Sequence, residues 1–140
     1  DQIESHDDMT MARYTHGTLR KPYATGLVHI GDAAHRASPQ LGQGANMALL
    51  DAYSLAQCLK YHPLEKALPA YAKSRRRHVG IYQAMSWAFT PMYQSDSRIL
   101  PLLRDMVFAP LSAVPPVPWI LTSLVKGTMV SPYRGIKTRS

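Results

Sequence analysis

The chain has 140 residues, 46% hydrophobic and 18% charged, which suffices for one globular domain with a core and excludes a disordered chain. Its one cysteine, Cys58, excludes a disulfide framework and a cysteine-based zinc cluster and fits a reducing, cytoplasmic setting. The formal charge of +7 is uneven: Asp1, Glu4, Asp7 and Asp8 are four of the nine acidic residues, so the rest of the chain is strongly basic and suits an anionic partner.

The opening Asp-Gln-Ile, with no basic region followed by an apolar core, reads as a fragment or a processed piece. Loose alternation at Met9, Met11 and Tyr14 predicts a strand ending near Gly17 and Thr18, then a basic loop through Arg20-Lys21-Pro22. Leu27, Val28 and Ile30, between Gly26 and Gly31, predict a short strand of the kind buried in a parallel sheet. From Ala33 to Gly44, Ser38-Pro39 and Gly42-Gln43-Gly44 predict a loop that approaches something closely. Leu49, Leu50, Tyr53, Leu55, Ala56 and Leu59 keep helical spacing from Ala45 to about Tyr61, where His62-Pro63 ends the helix.

A second helix is expected from Leu64 to about Ala88, through Leu68, Tyr71, Arg75 and Val79, with Pro69 tolerated near its start. The run Lys73–His78 reads as its solvated face, and no nucleic-acid motif accompanies it. A third helix is expected over Ser95–Phe108, with Pro101 at its start or kinking it. Met106–Val125 carries no charge, yet Pro110, Pro115, Pro116 and Pro118 argue against a membrane span and for a segment docked on protein. Contact of Trp119, Ile120 and Leu121 with a membrane surface, beside Lys126, is the other reading. The basic tail from Tyr133 is expected to be loose, and no internal repeat is present.

The stretch "GLVHIGDAAHRASPQLGQGANMALLDA", Gly26–Ala52, concentrates the chemistry. A strand ending in Gly31-Asp32 puts a carboxylate where open α/β sheets bind ligands, able to accept from hydroxyls. Glycines 42 and 44 let a ligand meet the backbone at a helix start whose first amides are unpaired and favour negative charge. That is the layout of a nucleotide-cofactor site.

This stretch resembles the second FAD-binding motif of flavin-dependent aromatic hydroxylases of the para-hydroxybenzoate hydroxylase type. "YAKSRRRHV" and "YQSDSRILPLLRD" resemble their C-terminal helical part. The resemblance implies that Asp32 accepts from a ribitol or ribose hydroxyl of FAD, that Gly31 admits the backbone, and that Ala33 offers an amide near the pyrophosphate. It places Pro39 beside the isoalloxazine, and Gly42, Gly44, Ala45 and Asn46 at the turn and helix start facing flavin N1 and the C2 carbonyl. It implies FAD reduced by NADH or NADPH, and O2 used to oxygenate an organic, aromatic or polyketide-like substrate.

The fold expected is a mostly helical α/β fragment, the C-terminal part of an FAD/NAD(P)-binding Rossmann-like domain with few strands and three to four helices. Residues 1–25 would return from a missing substrate domain, 26–62 carry the FAD motif, 63–128 form the helical region and 129–140 the tail. No Gly-x-Gly-x-x-Gly is present, so the adenosine half of the site is expected from a missing N-terminal portion of the same enzyme. The alternative is a non-catalytic module that docks on a membrane or a partner chain.

Quieter explanations stand beside these. His35 reads equally as a structural hydrogen-bond partner and as a proton carrier or pyrophosphate neighbour. His29, Asp32 and His35 are spaced like metal ligands, but strand geometry would turn His29 and Asp32 to opposite faces, so no metal is expected. Cys58 reads as a buried small hydrophobe. Tyr82, Trp87, Phe89 and Tyr93 read as core rather than channel lining, and Asp96 and Asp105 as helix-end charges.

Overall fold

The computed structural model describes residues 5, 7, 15–39, 42–94, 97, 99–126, 128, 129 and 131. The expected strand before residue 15, Asp96 and the tail from Tyr133 lie outside them. What is described is mostly helical with a few two-residue strands.

Strand β1 (Gly17–Thr18) and, after it, β2 (Tyr23–Ala24) and β3 (Leu27–Val28) precede a 3-10 turn over Gly31–Ala33 and β4 (His35–Arg36). β2 and β3 form an antiparallel hairpin, Tyr23 opposite Val28, closed by Thr25-Gly26 with Gly26 at φ +71°. Among the described residues the run Leu27–Ile30 thus pairs antiparallel, through Leu27–Val28, and not in the parallel sheet that its composition suggests. The two-residue turn folds it back on its predecessor, and Leu27 is exposed while Val28 and Ile30 are half-buried. β1 pairs antiparallel with β4, Thr18 opposite His35.

Helix α1 (Gly44–Tyr61) and helix α2 (Leu64–Tyr93) form an antiparallel pair turned by His62-Pro63. Pro63 is the extended N-cap of α2, which holds residue 62 out of the helical region. α2 runs five residues beyond the expected end, past the exposed Trp87 and Tyr93, which are thus not core. Two small apolar clusters hold the pair. Met47, Val79 and Tyr82 form one with Met85 and Phe89; Cys58, Ala67 and Tyr71 form the other with Val28, Ile30 and Leu55. Burial pushes the Cys58 thiol up, as it does the Tyr82 phenol.

Between the clusters the helix contact is polar. α1 buries Met47, Asp51, Ser54 and Cys58, spaced four, three and four apart, and α2 answers with Tyr71, Ser74, Arg75 and His78. Ser54 and Ser74 share a hydrogen bond of 2.9 Å, and Ser74 donates to the Tyr71 carbonyl at 2.8 Å. The basic run is therefore a solvated face only at Lys73, Arg76 and Arg77; Ser74, Arg75 and His78 are buried. Helical periodicity sends every third or fourth position inward whatever its polarity, and here a buried carboxylate waits for the arginine.

The expected third helix is split. Helix α3 (Ile99–Leu103) widens to a π turn over Arg104–Phe108 before α4 (Ala109–Leu111), where the Ala109 N–H reaches the Arg104 carbonyl. Pro110, with no N–H to donate, follows the wide turn. Asp105 pairs with Arg104 at 2.7 Å on the surface. Helix α5 (Val117–Val125) presents Trp119 and Ile120 to solvent. Among the described residues no helix is long and apolar enough to cross a membrane.

Candidate functional site

The site is built on Gly31. Its φ of +57° is left-handed, and a Cβ there would lie 3.0 Å from the Ala48 Cβ on α1, so conformation and close approach both demand glycine. Its N–H donates to Asp51 Oδ2 at 2.8 Å. Asp51 is fully buried and accepts two further bonds, from His35 Nε2 at 2.6 Å and from Arg75 Nε at 2.7 Å. Arg75 donates onward from Nη1 to His78 Nδ1 at 3.2 Å.

Burial alone would raise the Asp51 carboxyl. Hydrogen bonds from His35 and Arg75, the attraction of His35 and the Gly31 N–H outweigh it and hold the group below its ordinary 3.8. The ionised carboxylate thus ties the Gly31 turn, β4, α1 and α2 together through charge-assisted bonds. Burial, then the charge of Asp51, pushes the Tyr71 phenol up, so it stays protonated and donates to the His29 carbonyl at 3.4 Å. α2 also holds the following loop: Gln83 Nε2 donates to the Arg36 carbonyl at 2.7 Å and Ser86 Oγ to the Ser38 carbonyl at 3.1 Å.

Against this scaffold lies a groove of about 350 Å3 whose lining includes Asp32, Ser38, Pro39, Gly42, Gln43 and Gly44, within the range of small-molecule sites. Three of its features ask for a ligand. Asp32 is exposed and takes no hydrogen-bond or ion-pair partner among the described residues. Ser38 Oγ is buried with no hydrogen-bond partner among the described residues, which costs about 1–3 kcal/mol unless something bonds to it. At the groove the N-cap residue of α1, Gln43, makes no side-chain capping bond, and such a helix start attracts electron-rich or anionic groups.

The structure brings together Asp32, Pro39, Gly42 and Gly44 on the groove, with His35 at its buried edge. Gly31 stands behind it as the anchor to Asp51. Ala33, Ala45 and Asn46 are not among the lining residues; Asn46 Nδ2 donates to Gln43 Oε1 at 2.8 Å. Of the two readings of His35, the structural bond is made, to Asp51. Sequence reasoning missed Asp51, Arg75 and Ser38. The expected apolar stripe of α1 pointed away from Asp51, so the sequence carried no signal for the first two; the structure buries Asp51 with Met47, Ser54 and Cys58, and a buried acid needs a cation.

Residues 2–84 match the family described as FAD binding domain. Kynurenine 3-monooxygenase of Salinispora tropica is 43% identical over 67 residues, covering 47% of this chain and 15% of the relative. The 2-heptyl-3-hydroxy-4(1H)-quinolone synthase of Pseudomonas aeruginosa is 38% identical over 71 residues, 51% of this chain and 19% of the relative. The FAD-dependent monooxygenase paxM of Penicillium paxilli is 29% identical over 139 residues, 90% of this chain and 29% of the relative. The chain thus spans less than a third of the length of each of these relatives. No solved structure matches it.

Proposed function

The chain belongs to the FAD binding domain family, and from that premise we propose that it supplies the flavin and ribityl side of the cofactor site of a flavin-dependent monooxygenase. The observation that carries this is the meeting of an unpartnered Asp32 carboxylate, an orphaned Ser38 hydroxyl and the uncapped start of α1 on one groove. These groups fit FAD. Asp32 would accept from a ribityl hydroxyl, and the amides at the start of α1 would face the electron-rich N1 and C2 carbonyl edge, where the helix dipole favours the negative charge of reduced flavin. Pro39 would pack against the ring, and Ser38 would find its partner in a polar atom of the cofactor. Bound there and reduced by NADH or NADPH, FAD supplies the activation of O2 that oxygenates an organic, aromatic or polyketide-like substrate.

Ala33, Ala45 and Asn46 join the site in this reading through their backbone amides or by a small shift of the first turn of α1. The pyrophosphate and adenosine would be held by a glycine-rich loop from outside this chain, in an N-terminal portion of the same protein. The single, buried Cys58 suits a cytoplasmic setting.

Flavin fluorescence during titration of FAD to millimolar concentration tests the reading. Saturable binding is expected, weakened about tenfold or more by Asp32→Ala, since a hydrogen bond to a charged group contributes about 1.5–3 kcal/mol. No saturation, or binding indifferent to Asp32→Ala, would overturn it. A second reading, a docking module, draws on the exposure of Trp119 at 76% and Ile99 at 74%; it predicts association with lipid or a partner chain that is indifferent to flavin.

A further inference from the structure

A second groove, about 620 Å3 in volume, shares only His35 with the first. One wall is the turn after β1, where Arg20, Lys21 and Pro22 lead to Tyr23. The other is α2, where Pro69, Lys73, Arg76 and Gly80, spaced four, three and four apart, are among the lining residues. Arg20, Lys21, Lys73 and Arg76 are all exposed, and among the described residues no carboxylate lines the groove. Among the described residues none of the four forms an ion pair. Arg75, also in the wall, is already neutralised by Asp51.

Four cations facing one concavity repel one another and focus a positive potential that a multiply charged anion relieves. Two of them are arginines, whose planar forks match phosphate oxygens in pairs. The groove is far larger than one inorganic phosphate needs and lies within the range of organic ligands. Tyr23, with Lys21 Nζ 5.0 Å from its ring centre, and Pro69 offer flat apolar surface beside the charges. Gly80 supplies an independent sign. A glycine inside a helix costs about 1 kcal/mol against alanine, and an added Cβ at this one meets nothing within 4 Å. Packing among the described residues does not require it, and it lines that end of the groove, where a long side chain would project.

We propose that this groove binds a nucleoside diphosphate group, with its phosphates between Arg20 or Lys21 on one wall and Lys73 and Arg76 on the other, and its nucleoside against Tyr23 and Pro69. The site is separate from the flavin groove and does not rest on the flavin reading.

ADP titrated calorimetrically into the 140-residue chain at low salt tests it, with inorganic pyrophosphate and phosphatidylglycerol vesicles as parallel probes. One-to-one saturable ADP binding is expected, with pyrophosphate competing more weakly. The double variant Lys73→Ala/Arg76→Ala should lower ADP affinity at least about tenfold. Gly80→Leu should lower it without removing a charge, and Asp32→Ala should leave it unchanged. Absence of saturation overturns the proposal. So does ADP affinity that falls with Asp32→Ala but not with Lys73→Ala/Arg76→Ala, which would place ADP in the flavin groove. Capture by the vesicles that depends on Lys73 and Arg76, without ADP binding, also overturns it and assigns the phosphate to a lipid headgroup. Because ADP rather than flavin is read, failure here leaves the flavin reading standing.

Discussion

Replacing Asp51 with alanine removes the acceptor on which the Gly31 N–H, His35 and Arg75 converge. Arg75 is 3% exposed and His35 7%, so neither can turn to water for a substitute. Taking one partner from a buried ion pair costs about 3–5 kcal/mol, because the remaining charge stays buried and unpaired. The stranded Gly31 N–H adds about 1–3 kcal/mol. Against a total stability of about 5–15 kcal/mol for a domain, Asp51→Ala should remove about a quarter or more. Urea unfolding followed by circular dichroism reads this as a lower midpoint with an unchanged slope. Asp51→Ala/Arg75→Ala should cost clearly less than the sum of the single changes, with a coupling of about 1–3 kcal/mol. A loss below about 0.5 kcal/mol for Asp51→Ala, the size of a surface change, would refute the idea that this carboxylate locks the turn.

Gly31→Ala should destabilise by about 1–3 kcal/mol, since it adds left-handed strain to a Cβ contact of 3.0 Å; an unchanged urea midpoint would contradict the reading of this glycine. Ser38→Ala should leave the free chain equally stable or slightly more so, because it deletes an unpartnered buried hydroxyl, and should weaken FAD binding. Weakened stability with unchanged FAD binding would reverse that assignment. The Asp51 carboxyl is held below 3.8 in the folded chain and returns to that value on unfolding. As pH falls past 3.8 the unfolded chain therefore takes up the proton first. The stabilisation is whole above that pH and is lost as pH drops towards the folded value, so the acid limb of a stability curve should be shallower in Asp51→Asn. Parallel acid limbs would count against it.

The helices were legible because their signals are local. His62-Pro63 ends α1 where expected, but the residues read as its apolar stripe are mostly exposed, Leu49, Tyr53 and Leu59 among them, and the stripe it buries is Met47, Asp51, Ser54 and Cys58. Asp32 alone could have read as a cap of the next turn; it was the recurrence of glycines at 42 and 44 before a helix that pointed to one site, and the three line one groove. What stayed hidden depends on partners distant in sequence. Arg75 sits in a run of cations that looks solvated, and only the packing of α1 on α2 shows that it meets Asp51, 24 residues away. Leu27–Ile30 has the composition of a buried strand, but the two-residue turn before it decides the pairing. The π turn before Pro110 was also illegible, because proline states which hydrogen bond is lost and not how the helix accommodates it.

The most direct test of the flavin site is to follow the backbone amide signals of the isotopically labelled chain by nuclear magnetic resonance as FAD is added. The account predicts shifts concentrated at Asp32, Ser38 and residues 42–46, greatly reduced in Asp32→Ala. Shifts confined to α3–α5, or none at concentrations that saturate flavin fluorescence, would contradict it.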